Sequence, residues 1–271
     1  MTVYRNEVVL QSEDWTGLID THCHLDLEPL SLRLAEVVNC AHQAGVTQFV
    51  VPGVHPDGWA RMAATAERHA GISPAFGIHP MHAALADDDN LSRLAERAST
   101  GVAIGEIGLD PAYAVSLERQ ERAFRDQLSL AVSLGLPVLV HCRRTFQRTL
   151  RVLQEERVHQ VGGIMHAFSG SPEMAREFIR LGFVISISGV ITRNSAVRPL
   201  RVVRELPLEC LVLETDAPDL TPQRYRGQSN QPAYIVETLR AVAGTKGVEP
   251  AVVAHSSRAA TLRILEKLPA A

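Results

Sequence analysis

The chain has 271 residues, 46% of them hydrophobic and 21% charged, a balance that predicts a sizeable core and excludes a disordered protein. A formal net charge of −3 and only 5% aromatic residues exclude a basic nucleic-acid magnet and an extensive base-stacking platform. No apolar stretch approaches the ~20 residues needed to cross a bilayer, so no membrane partner is expected.

From the N-terminus, short apolar runs alternate with longer helical patterns. The predicted strands are residues 17–20, 47–53, 73–79, 101–108, 136–141, 162–166, 183–189 and 210–216. They lack strict polar alternation, as strands of a parallel sheet covered on both faces should. The clearest helix lies in "SLERQERAFRDQLSLAVSLG", where Phe124, Leu128 and Ala131 mark one face and Gly135 sits at the expected stop. Ser171-Pro172 opens another helix with a capping hydroxyl and a proline in the first turn. Residues 248–267 read as an extra helix closing one end.

Strands and helices in this rhythm predict an α/β fold, a (β/α)8 TIM-type barrel. The alternative, an open doubly wound sheet, lacks a G-x-G-x-x-G after the first strand. No linker or repeat divides the chain, so residues 1–271 form one expected domain, with the barrel over about 17–245. Cys23, Cys40, Cys142 and Cys210 are scattered and form no C-x-x-C pair, as reduced core thiols would. With no signal-peptide centre near the start, the expected location is cytoplasmic, and no obligate protein partner is inferred.

The polar residues fall in a pattern. His22 and His24 follow the first strand, Glu106 lies near the end of the fourth, His141 ends the fifth, His166 the sixth and Asp216 the eighth. C-terminal strand ends converge on one rim of a barrel. Four imidazoles and two carboxylates gathered there would suit two divalent cations, with Glu106 placed to bridge them. Zinc or manganese suits imidazole, while carboxylates favour magnesium. Two ions about 3.5–4 Å apart activate a water for hydrolysis. Taken singly, each residue has a duller reading: a loop histidine, a salt bridge at the barrel mouth for Glu106, a helix cap before Pro218 for Asp216. Those readings must all hold at once, each at the right end of a different unit.

His79 ends the third strand in "FGIHP" and reads as a substrate contact, a donor behind the ligands or a plain loop residue. Glu214 is expected to accept a hydrogen bond from a ligating imidazole. A buried pairing with an arginine is its alternative.

The motifs "DTHCHLD", "FGIHP", "IGEIGLD", "VLVHCR", "GIMHAFSG" and "LVLETDAP" resemble, in this order, those of TatD-related deoxyribonucleases of the amidohydrolase superfamily. The resemblance runs from about Leu18 to the region of Pro232 and implies a distorted (β/α)8 barrel. It implies that His22, His24, Glu106 and Asp216 hold one divalent ion. By the same resemblance Glu106, His141 and His166 would hold the second, and Asp216 would deprotonate the attacking water. It also implies DNA as substrate, with nucleotides removed from a 3′ end. Arg143 and Arg144, and Arg224 and Arg226, could supply phosphate contacts on the rim. "GQSNQP" resembles the family loop that makes Asn230 a substrate-contact candidate, although Gln231 replaces the usual acid and a basic residue is missing. The helix stretch "AHSSRAATLRIL" departs from the family pattern at His255 and Ser256, with an effect expected on packing, not on the metals. Two other readings use the same residues: an ester or amide hydrolase such as an aminoacyl-tRNA deacylase, and a metal-stabilised binding protein without turnover.

Overall fold

The computed structural model describes residues 15–269. The expectation about a signal peptide therefore lies outside the described residues, as do the extreme ends of the single domain.

Eight parallel strands run in chain order around a nearly closed barrel. They are β1 (Leu18–Asp20), β2 (Val46–Pro52), β3 (Ile72–Phe76), β4 (Ala103–Leu109), β5 (Val138–Cys142), β6 (Gly163–Met165), β7 (Phe183–Ile187) and β8 (Leu211–Leu213). A helix follows each strand: α1 (Leu34–Gln43), α2 (Trp59–Arg68), α3 (Asp88–Ala98), α4 (Leu117–Leu134), α5 (Phe146–Glu155), α6 (Pro172–Arg180), α7 (Val197–Glu205) and α8 (Ile235–Lys246). An additional helix, α9, spans Pro250–Ile264. Between β8 and β1 the barrel closes through isolated contacts: Thr21 N donates to Leu213 O, and Cys23 bridges Ala217.

The helix ends follow from local chemistry. Ser116 caps α4 by accepting from Arg119 N, and Gly135 ends it in a left-handed conformation at φ 64°. Ser171 accepts from Met174 N at the start of α6, with Pro172 in its first turn.

Strand residues are apolar on both faces because each face meets a separate hydrophobic cluster. Ile19, Val50, Ala75, Ala103, Leu139, Ile164, Val184 and Val212, one from each strand, fill the barrel interior. Ala260, Leu265 and Leu268 close that interior from below, which is the work of α9 and the residues after it. Their neighbours, among them Leu18, Val51, Val140, Met165, Ile185 and Leu213, pack outward against the helices.

Side chains two positions apart share a face. Counting up from the interior ring, Thr21 follows Ile19, His141 follows Leu139, His166 follows Ile164, Ser186 follows Val184 and Glu214 follows Val212. The layer above the apolar floor is therefore polar, at the C-terminal mouth. Three glycines bring the strand ends close there. A Cβ on Gly53 would lie 2.7 Å from Gly77 N, and one on Gly77 would lie 2.6 Å from the Gly105 carbonyl carbon. This close approach lets Gly53 N donate to Gly105 O and Gly53 O accept from Glu106 N. The β4–β5 register shifts between Gly105 and Ile107, so Glu106 sits on an irregularity that aims it into the mouth.

Candidate metal centre

His22, His24, Glu106, His141, His166 and Asp216 meet at the mouth, and His79 joins them. Asp216 lies three residues beyond the end of β8, on the following loop at φ 57°. Its amide donates to His22 O, which fixes the β8 loop against the β1 loop.

The geometry centres on Glu106, which is only 2% exposed. Its Oε2 faces one set of imidazoles, at 3.1 Å from His22 Nε2 and 4.0 Å from His24 Nε2. Its Oε1 faces another, at 2.7 Å from His141 Nδ1, 3.6 Å from His79 Nε2 and 3.7 Å from His166 Nε2. Asp216 Oδ1 lies 3.6 Å from His24 Nε2, 3.6 Å from His166 Nε2 and 3.7 Å from His22 Nε2. Three overlapping ligand sets result: His22, His24 and Glu106; His22, His166 and Asp216; and His79, Glu106 and His141.

Unpaired buried atoms test whether cations fit. His22 Nδ1, His22 Nε2 and His24 Nδ1 are buried without a hydrogen-bond partner. His22 Nε2 approaches Glu106 Oε2 closely yet is not aligned to donate to it. With an atom of His24 they lie within 4.8 Å of one another, close enough to ligate a common ion. Nitrogen and carboxylate oxygen together suit zinc or manganese.

Charge agrees with geometry. Burial pushes the Glu106 carboxyl up, but His22, His79 and His166 around it hold it well below the usual carboxylate range. Asp216 is likewise lowered: burial opposes its charge, and His166 and His24 outweigh that. Burial disfavours charge on His166, yet Glu214, Asp216 and Glu106 raise it to about 10. His141 rises against burial to about 9 through Asp110 and Glu106. Burial takes His79 down to about 3 despite Glu106. The two acids demand positive charge at one point, which protonated imidazoles or divalent cations can supply.

Carboxylates stand behind two of the imidazoles. Glu214 is fully buried and lies 3.0 Å from His166 Nδ1 through Oε2. Ser186 Oγ donates to the same oxygen at 2.6 Å, and Ala167 N donates to Oε1 at 2.8 Å. Among the described residues no arginine forms an ion pair with it. Asp110, which sequence reasoning missed, lies 3.0 Å from His141 Nε2 through Oδ2. Its Oδ1 accepts from Ala112 N, and its backbone is clamped by Gln120 on α4. The signal was the acid ending "GEIGLD", but nothing in a linear reading says that it meets a histidine 31 residues away. Asp20 was also missed. Its Oδ1 accepts from Thr215 N and its Oδ2 from Thr215 Oγ1, tying β1 to the loop that carries Asp216. Burial lifts its pKa to about 7, the Thr215 hydrogen bonds opposing.

Asn230 is fully buried, and its amide donates to Thr215 O and Asp219 O while its Oδ1 accepts from Gln231 N. These bonds brace the loop that follows β8. Arg226 is exposed but does not line the cavity beside the centre, and Arg224 pairs with Glu237. Arg143 does line that cavity, of about 470 Å³, together with Tyr113, Phe168, Ile191, Asp216 and Leu220.

A parallel barrel with a buried histidine–carboxylate donor set at its C-terminal rim is the architecture of a metal-dependent hydrolase. Comparison with known proteins agrees. The chain matches the family described as TatD related DNase over residues 19–266. It is 37% identical over 232 residues to the "uncharacterized metal-dependent hydrolase YabD" of Bacillus subtilis (strain 168), covering 84% of this chain and 91% of that protein. Its identity to the similarly described YjjV of Escherichia coli (strain K12) is 38% over 223 residues, or 79% and 84% of the two chains. The crystal structure of YjjV, a TatD homologue, superposes with a TM-score of 0.86 at 33% identity, covering 92% of this chain and 98% of that one. The chain belongs to the TatD-related DNase family of metal-dependent hydrolases. No helix among the described residues is long and apolar enough to cross a membrane.

Proposed function

We propose that the protein is a deoxyribonuclease that hydrolyses phosphodiesters at a centre for two divalent ions, releasing nucleotides from a 3′ end. The observation that carries this reading is the division of the imidazoles between the two oxygens of Glu106, one set facing Oε2 and the other Oε1. That division is what a bridging carboxylate requires. His22, His24, Glu106 and Asp216 would hold one ion, and Glu106, His141 and His166 the other, with His79 Nε2 within reach of the second set. Such ions supply Lewis acidity and lower the pKa of a bound water.

The chain's own groups do the rest. Asp216 reaches the centre through Oδ1, and the cations held there would keep it ionised, so that it could take a proton from the attacking water. Glu214 fixes the His166 ring so that Nε2 is presented to the centre. Arg143, at the edge of the 470 Å³ cavity, offers a planar fork to a phosphate. The cavity's apolar wall of Phe168, Ile187, Ile191 and Leu220 shelters a sugar or base beside the reacting phosphate.

The test offers metal-loaded protein a 3′-labelled single-stranded DNA beside a mischarged tRNA, with Mg²⁺, Mn²⁺ or Zn²⁺. Nucleotide release that falls at least a thousandfold in Asp216→Asn, with its melting temperature kept, is expected. Release of the amino acid alone would replace this reading with a deacylase, and no turnover of either would leave a binding protein.

A further inference from the structure

The cavity beside the centre does not end at Arg143. Three stretches of chain pass from it into a neighbouring open hollow of about 610 Å³. Arg143 lines the first and Arg144 the second; Ser169 lines the first and Gly170 the second; Pro199 lines the first and Arg198 the second. The two spaces are therefore adjacent along three independent segments, the loops after β5 and β6 and the start of α7.

The hollow's lining has the chemistry of a nucleic-acid track. Arg144, Arg148 and Arg198 contribute guanidinium groups, while Phe146 and Met174 supply an apolar floor. Arg148 is committed to Glu121 and Glu118. Arg144 and Arg198 are exposed, and among the described residues neither has a carboxylate within ion-pair distance. Most exposed arginines of neighbouring helices are paired instead, as Arg176 is with Glu205 and Arg201 with Glu173 and Glu205. Two arginines without a carboxylate partner lining one hollow, in a chain of net charge −3, concentrate positive potential there.

We infer that this hollow is a subsite for the backbone of a single-stranded polynucleotide, with Arg144 and Arg198 binding the phosphate next beyond the nucleotide held in the first cavity. The inference rests on the nuclease reading and deepens it by giving the strand a direction, from the metal centre over the loop after β5 toward α6 and α7. Phosphate contact supplies affinity without sequence preference, and the Phe146 ring gives a base a surface on which to lie. An electrostatic track of this kind lets a protein with acidic overall charge hold a polyanion locally.

The experiment measures binding of a 5′-fluorescein dT12, protected by phosphorothioate linkages at its 3′ end, to metal-loaded protein by fluorescence anisotropy across a salt series. In Arg144→Ala/Arg198→Ala the Kd rises fivefold or more, and the salt slope falls by about 1.4 for two lost contacts on a single strand. A methylphosphonate at the corresponding linkage weakens wild type but leaves the double variant within twofold. The control Arg68→Ala/Arg97→Ala removes the same charge from α2 and α3 and keeps the wild-type slope. Unchanged affinity and slope in the hollow variant, or an equal loss in the control, overturns the subsite. A wild type that binds no oligonucleotide overturns the nuclease reading and the subsite together.

Discussion

Asp110 gives the sharpest test of how the centre is held. His141 has a carboxylate at each ring nitrogen, Glu106 Oε1 at 2.7 Å from Nδ1 and Asp110 Oδ2 at 3.0 Å from Nε2. Glu106 belongs to the centre and Asp110 stands behind it, so Nδ1 is the nitrogen offered to an ion and Nε2 keeps its hydrogen for Asp110. His166 is turned the other way, with Nδ1 toward Glu214 and Nε2 inward. Asp110→Ser keeps a side-chain oxygen able to accept from Ala112 N but cannot reach His141. Loss of such an orienting partner weakens metal binding roughly 10–100-fold, or about 1.4–2.7 kcal/mol. Calorimetric titration with Mn²⁺ or Zn²⁺ should show that loss on one ion only, while the metal-free melting temperature moves little. Histidine ¹⁵N NMR of the zinc form should show His141 Nε2 carrying its hydrogen. A variant that binds both ions as wild type does, or a spectrum with Nε2 as the ligating atom, refutes the reasoning.

Glu214→Gln should also weaken metal binding about 10–100-fold, since an amide cannot accept from Ala167 N, Ser186 Oγ and His166 Nδ1 together; titration checks it, and wild-type affinity contradicts it. Gly77→Ala places a Cβ 2.6 Å from the Gly105 backbone, so it should lower the melting temperature and reduce metal occupancy by displacing Glu106. Glu121 on α4 pairs with Arg125 one turn along the same helix and with Arg148 on α5. Burial raises its pKa, but Arg148 and Arg125 together outweigh that and hold it below 4.5, so its contribution is fully present above that pH and is lost as pH falls through the folded value. Denaturant unfolding of Glu121→Gln should show a deficit of ~1 kcal/mol at pH 7 that shrinks in acid; a deficit that grows in acid contradicts the sign.

Much of the fold was legible because its determinants are local. Runs such as "VLVH" and "FVIS" announce buried parallel strands without a partner in view, and serine and glycine mark helix ends by their own chemistry. The convergence of the candidate ligands was legible for a related reason: a period of two places His141 and His166 above Leu139 and Ile164, whatever the neighbouring strands do. Side chains whose role depends on distant partners were not. Asp20 meets Thr215 across 195 residues, a contact created only by barrel closure. His79 could be placed on the rim at the end of the third strand, but which of its three readings held depended on a distant partner, and the fold brings its Nε2 to 3.6 Å from Glu106 Oε1. Asn230 resembled a family contact in its motif, but a motif does not report burial, and its amide proved fully occupied within the loop.

The bridging role of Glu106 is tested most directly by crystals grown with Mn²⁺ and measured for anomalous scattering. Two manganese peaks per chain, one against each oxygen of Glu106, are the expected result. A single peak, or a pair that leaves Glu106 uncoordinated, would contradict it.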